Sequence, residues 1–305
     1  MKTERARDIG TLFPADYPTQ LRQLPQTPKK LWALGSWPRE GTRYLAVVGS
    51  RALSSYGREA CELLIAGLAG YPISIVSGLA LGADSCAHKA ALATGLHTIA
   101  IPGSGLGDAV LYPRAHRKLA KDILDSGGLL LSEHPPDYAA HPYDFPSRNR
   151  IMVGLADAVL IVEAGENSGT LITARLAGEY NRDLLCIPHR IGDPHGHASR
   201  VFLRIGAAHV TEPLHILEAL RIVPREDEIA GRDTDAYDGR KRAGEARAAL
   251  LAGAERILYD LLASPVPRDQ LIRASGLAPS DALTALVSLE LSGYIVEQFG
   301  SWCRT

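Results

Sequence analysis

From residue 43 onward, short apolar runs ending in glycine, serine or proline alternate with segments of helical periodicity. Tyr44–Val48 ends in Gly49-Ser50-Arg51, Ile73–Val76 in Ser77-Gly78, and His97–Ile101 in Pro102-Gly103-Ser104-Gly105. Leu129–Ser132, Ala158–Val162 and Leu184–Ile187 complete the series. Helical patterns occupy 56–70, 83–94, a basic stretch from Arg114, and 170–180. Continuous apolar strands separated by helices predict an α/β fold, a parallel sheet with helices on both faces. Ligands of such sheets collect beyond the carboxyl ends of the strands. That is where this chain places its small residues, so backbone can approach a ligand there.

The flanks follow other rules. Residues 1–42 are rich in proline, with leucines at 21, 24, 31 and 34. They predict short helices and extended pieces packed on a neighbour, an N-terminal extension to a domain spanning 43–221. Residues 222–244 hold six acidic and five basic residues and little apolar content, the composition of a solvated linker. Helical periodicity returns at 247–262, 268–275 and 279–292, followed by two short strands near 294–298 and 301–304. Three helices and a hairpin predict a small winged-helix domain over 245–305.

Charge excludes a uniformly basic surface. The 305 residues carry a formal net charge of −1, and residues 41–221 hold 16 Lys+Arg against 17 Asp+Glu. Nucleic-acid binding would rest on local clusters: Arg51, Arg148 and Arg150, with Arg114, Arg117, Lys118 and Lys121. The four cysteines are scattered without a CxxC pair, which fits a reducing compartment. No apolar run approaches the roughly 20 residues that span a bilayer, and the N-terminus lacks the apolar core of a signal peptide. A cytoplasmic protein without a membrane segment is expected.

The motifs narrow the chemistry. Gly49-Ser50-Arg51 sits where a dinucleotide fingerprint would, but Arg51 replaces the second glycine, and the next strand ends in Ser77 rather than an acid. Both departures argue against a nicotinamide or flavin enzyme. An arginine at such a turn can instead hold phosphate through its planar fork. Asp84 reads as a helix cap and His88 as a partly buried, satisfied histidine. His189, His195 and His197 match no metal-ligand spacing, so no metal and no cofactor are expected. Ser50, Ser77 and Ser168 lie in turns without a triad pattern, and the chain reads as a non-enzyme.

The most informative stretch is 145–175. Phe145-Pro-Ser-Arg148-Asn149-Arg150 forms a rim loop before a buried strand, and Ser168-Gly169-Thr170 opens the next helix. Amides at a helix start receive anions. Cationic forks beside an aromatic face suit single-stranded nucleic acid, with phosphates on the cations and unstacked bases on the ring.

Together these segments resemble the DprA/Smf family, DNA-processing protein A. The resemblance rests on Val47-Val48-Gly49-Ser50-Arg51, Val76-Ser77-Gly78-Leu79-Ala80, Gly103-Ser104-Gly105-Leu106 with Tyr112-Pro113, and Ser132-Glu133. It continues through Phe145 to Ile151, Val162-Glu163-Ala164 and Ser168 to Ala174. It implies an extended Rossmann-like domain that forms a homodimer and binds single-stranded DNA. It also implies protection of incoming strands and loading of the RecA recombinase onto them during natural transformation. On this resemblance Arg51, with Gly49 and Ser50, holds a phosphate at the strand–helix turn. Phe145, Arg148, Asn149 and Arg150 line the strand site, and Ser168, Gly169 and Thr170 close it. The chain departs from the family at Pro188-His189 and at His195-Gly196-His197, where a Pro-Gly and a Gly-x-Asn are usual. The competing resemblance is to LOG-like nucleotide phosphoribohydrolases, which need a glutamate where this chain has Thr173. The winged-helix segment has five basic and seven acidic residues, and no Lys or Arg in 279–292. It is expected to contact protein or regulate rather than read duplex sequence.

Overall fold

The computed structural model describes residues 8–165, 168–225, 251–262, 266–292, 294–298 and 301–304. It divides into two compact units, Met1–Pro224 and Arg225–Thr305. The expected linker, 222–244, lies almost entirely outside the described residues.

The first unit is built on a nine-stranded sheet. Its strands are β1 (Gly10–Leu12), β2 (Leu31–Gly35), β3 (Arg43–Val48), β4 (Ile73–Ser77), β5 (His97–Ala100), β6 (Leu129–Ser132), β7 (Ala158–Ile161), β8 (Asp183–Cys186) and β9 (Ala208–His209), in the spatial order 1-2-6-5-4-3-7-8-9. Strands β3 to β8 pair in parallel, as the apolar runs predict, and β9, which no apolar run marks, adds in parallel to β8. The proline-rich N-terminal stretch supplies the exception, because β2 pairs antiparallel with β6 and β1 antiparallel with β2.

The helices of this unit are α1 (Thr19–Arg22), α2 (Ser55–Ala66), α3 (Ala83–Ala93), α4 (Arg117–Asp125), α5 (Asp144–Leu155), α6 (Thr170–Glu179), α7 (His197–Arg204) and α8 (Pro213–Ala219). Period-two alternation in the central strands explains the two covered faces. Ala46 and Val48 of β3, with Val159 and Ile161 of β7, belong to one core cluster with Ile151 and Met152 of α5 and Ala174 and Ala177 of α6. Leu45 and Val47, with Ala158 and Leu160, belong to the other, with Leu64 and Ile65 of α2 and Cys86 and Ala90 of α3. The N-terminal stretch adds Tyr17, Leu21, Leu24 and Leu31 to the first cluster.

One expectation is corrected here. The rim over 145–150 is not a loop but the first half of α5. Pro146 sits in the first turn, where its missing N–H costs nothing. Ile151 through Leu155 are all buried and anchor the helix against the sheet.

His88, fully buried on α3, reports the polarity of this interior. Its Nδ1 lies 2.7 Å from Thr98 Oγ1, whose hydroxyl donates to the Ile75 carbonyl at 2.9 Å, so the ring carries its proton on Nδ1. Burial, reinforced by Arg148 and His116, pulls its pKa from 6.5 down to about 3. The unfolded chain therefore takes up this proton first. The stability contributed is complete above about pH 6.5 and is lost as the pH falls through about 3, roughly 5 kcal/mol across the window. The urea midpoint of the wild type should fall between pH 6.5 and 4 more steeply than that of His88→Gln. Parallel pH profiles for the two proteins would contradict this assignment.

The described part of the second unit contains helices Gly253–Leu261, Arg268–Ser275 and Pro279–Leu291, and a three-stranded sheet. Ile295–Gln298 and Ser301–Arg304 form the hairpin, and Val266–Pro267 adds a short strand that periodicity does not reveal. Leu258, Leu271, Leu286, Leu289 and Trp302 share its core. This is a winged-helix arrangement.

Candidate nucleic-acid interface

Strand β3 lies between β4 and β7, and the chain leaves β3 toward β4 but leaves β7 toward β8. The connections diverge at that point, which opens a crevice at the carboxyl edge of the sheet. A cleft of about 720 Å³ occupies it. Gly49, Ser50 and Arg51 line it from the β3–α2 turn, Phe145, Arg148 and Asn149 from α5, and Ser168, Gly169 and Thr170 from the start of α6. These residues, far apart in sequence, are brought together. Arg150 is not. Two residues beyond Arg148 it faces another side of α5, where Nη1 donates to the Gln26 carbonyl at 2.6 Å and Nη2 to Glu133 Oε1 and Oε2 at 2.5 and 2.6 Å.

The turn carrying Arg51 is clamped on both sides. Gly82, at φ 75°, lets the α3 entrance pass directly beneath the Ser50 and Arg51 carbonyls, which a Cβ there would strike. Ala83 N donates to the Ser50 carbonyl at 3.0 Å. Glu163, fully buried, accepts from Ser54 N at 2.9 Å and from the Ser54 hydroxyl, while Ser54 Oγ caps α2 by accepting from Gly57 N at 3.0 Å. Arg51 itself is exposed and makes no hydrogen bond or ion pair among the described residues. Its guanidinium lies 5.2 Å from the centre of the Phe145 ring, a cation–π arrangement that leaves the fork free for an anion.

Arg148 plays a different part from the one its sequence suggests. It is buried, and its guanidinium donates to the carbonyls of Gly78 at 2.5 Å and of Ile101, with Nη2 3.6 Å from Asp84 Oδ2. Asp84 in turn accepts from Gly78 N at 3.1 Å and Ala80 N at 3.2 Å, so it fastens the 78–82 turn rather than simply capping α3. Burial pulls the Arg148 guanidinium below its ordinary value, Asp84 opposing the shift, and burial raises the Asp84 carboxyl against the pull of Arg148. The pair ties the carboxyl ends of β4 and β5 to α5 and sets the cleft floor. Gly78 is required there, since a Cβ would collide with the guanidinium.

The remaining polar groups are also partly engaged. Asn149 accepts from Arg148 Nε at 3.0 Å and donates to Thr173 Oγ1 at 3.0 Å. At the start of α6, Thr170 N donates to Ser168 Oγ at 3.2 Å, Leu171 N to the Ser168 carbonyl at 3.1 Å, and Ile172 N to the Gly169 carbonyl at 3.1 Å. Those amides are already partnered, so this helix start offers an anion less than its composition promises.

Sequence reasoning left Tyr112 and Pro142 out of the site. Tyr112 is 46% exposed, and its ring centre lies 5.3 Å from that of Phe145. Its side chain belongs to the loop after β5, whose return to the cleft no local pattern shows. His189 and His195 serve as fasteners. His189 Nε2 lies 3.0 Å from the Val162 carbonyl, and His195 Nδ1 lies 3.7 Å from Glu163. Among the described residues no group of three or more His, Cys, Asp or Glu could hold a metal ion.

Fold and site together define a Rossmann-like protein with an aromatic-lined cleft, an exposed arginine at its mouth, at the switch point of its sheet. The family model for DNA recombination-mediator protein A matches residues 9–221, and the DprA winged helix domain matches residues 241–301. Protein Smf of Escherichia coli (strain K12) is 37% identical over 300 residues, covering 96% of this chain and 77% of that protein. The crystal structure of DNA processing protein A from Streptococcus pneumoniae superimposes with a TM-score of 0.65 at 38% identity, over 69% of this chain and 74% of that one. DNA processing protein A from Helicobacter pylori, whose structure bears on its single-stranded DNA binding mode, gives 0.62 at 28% identity, over 71% and 97%. The chain belongs to the DNA recombination-mediator protein A family.

Proposed function

We propose that this chain binds single-stranded DNA in the switch-point cleft, shields it, and delivers it to a RecA-class recombinase, acting as a homodimer. The observation that carries the DNA reading is Arg51, held at the cleft mouth over Phe145 with no hydrogen-bond or ion-pair partner among the described residues. A cation beside an exposed ring takes a phosphate and the adjoining unstacked base together. Acid–base chemistry has little support in the same cleft. Its one lining carboxylate among the described residues, Asp84, is turned to Arg148, and Thr173 is buried with its hydroxyl bonded to Asn149. The Helicobacter pylori relative supports the choice of strand, and the family's description supports a role in recombination.

The winged-helix unit reads as a protein contact. Its helix Pro279–Leu291 carries Asp281 and Glu290 but no Lys or Arg, while Leu283, Val287 and Leu291 are exposed at intervals of four residues. A duplex reader would place basic side chains there. Fluorescence anisotropy over a salt series, with single- and double-stranded oligonucleotides, tests the reading. The single strand should bind tighter, with log K falling linearly against log salt. Equal affinity for both forms, or a flat salt profile, would refute it.

A further inference from the structure

Beside the cleft lies an aromatic surface that the site as described does not use. His134 and Tyr138 stack face to face, with ring centres 4.1 Å apart and planes within 10°. His141 and Tyr143 lie nearly parallel, at 5.4 Å and 5°, and Tyr138 meets His141 edge-on at 5.7 Å. Tyr143 is 66% exposed. Pro142, between the last two rings, lines the cleft, so the four rings adjoin the Phe145 end of it.

The surface is built rather than incidental. The buried Asp144 carboxylate accepts from His141 N at 2.7 Å and lies 3.5 Å from His134 Nε2. The neighbouring Tyr143 and Asp144 push the pKa of the Tyr138 hydroxyl up. Gly105 N donates to the Tyr138 carbonyl at 2.9 Å, and Gly107 N to the Pro136 carbonyl at 2.8 Å. A Cβ on Gly105 would strike the Pro135 carbonyl, one on Gly107 the Pro136 carbonyl, and one on Gly103 would crowd the Phe145 ring. The glycines after β5 are therefore the seat of this aromatic loop.

We propose that the His141–Tyr143 ring pair is a second base-stacking platform, extending the strand site beyond Arg51 and Phe145 so that it grips consecutive bases of single-stranded DNA. The proposal rests on the cleft being a single-strand site. Its chemistry is stacking, because the cations stay at the cleft mouth while the loop offers rings and prolines, and aromatic faces accept any base. Pre-fixed rings lose little freedom when a base settles on them.

Anisotropy with a labelled thymidine oligonucleotide of about 16 nucleotides, and with an abasic strand of equal length, tests it. The full chain, Tyr143→Phe and the double variant His141→Ala/Tyr143→Ala are compared, with urea midpoints to verify folding. The double variant should lose roughly tenfold affinity for the thymidine strand and none for the abasic strand, while Tyr143→Phe keeps wild-type binding. Unchanged thymidine affinity in the double variant, with Arg51→Glu still inactive, overturns the platform and leaves the cleft reading standing. An equal loss on both strands overturns it too, since the rings then merely support the fold. A wild-type chain that binds neither strand overturns both readings.

Discussion

Arg51→Glu should abolish single-strand binding, with an affinity loss of about two orders of magnitude or more and an unchanged urea midpoint. The reasoning combines two features. Arg51 is exposed and has no ion-pair or hydrogen-bond partner among the described residues, so its removal leaves no buried charge there uncompensated and costs the fold little. At the cleft mouth, reversing a cation that meets phosphate replaces a charge-assisted contact by repulsion, which in charge pairs amounts to about 2–5 kcal/mol. Arg51→Ala should fall between the two proteins, and the slope of log K against log salt should shrink by about one contact. Single-strand affinity of Arg51→Glu within twofold of the wild type would remove Arg51 from the site. So would a collapse of its thermal stability, since the residue would then have a structural role.

Local pattern showed the sheet and only part of the site. Strands β3 to β8 are legible because each is a continuous apolar run punctuated by Gly, Ser or Pro, and the small residues at their ends mark the ligand edge. Strands β1 and β2 are harder to read, because β1 has only three residues, the apolar run of β2 stands alone in a proline-rich stretch with no helical pattern beside it, and the antiparallel pairing of β2 with β6 is long-range. Arg51 and Phe145 are legible as chemistry, a cation at a turn and an aromatic at a rim. In sequence Arg150, next to the apolar Ile151, reads as the more structural of the two arginines, while nothing marks Arg148 as buried. Their fates diverge because residues two apart on α5 face different ways, one toward the buried Gly78 and Ile101 carbonyls and the other toward Glu133. Tyr112 and the 134–143 rings are invisible as a unit, since only the glycines after β5 bring them beside the cleft.

Arg148 gives the sharpest contrast with Arg51, because truncating it should act through the fold. Arg148→Ala strips the partner from a buried Asp84 and leaves two carbonyls at the strand ends without their donor. Removing one member of a buried ion pair typically costs about 3–5 kcal/mol, and unsatisfied buried acceptors add to that. The variant should unfold at markedly lower urea, and single-strand affinity should fall with it as the 78–82 turn and the floor beneath Phe145 loosen. Asp84→Asn/Arg148→Met separates pair from charge. It replaces both ions with neutral groups of similar size, so it should recover a large part of the stability lost in Arg148→Ala. It should also bind single strands better than Arg148→Ala, because Arg51 still stands at the cleft mouth. If Arg148→Ala instead kept wild-type stability and lost only DNA affinity, the guanidinium would be a phosphate ligand after all, and the division of labour between the two arginines would be wrong.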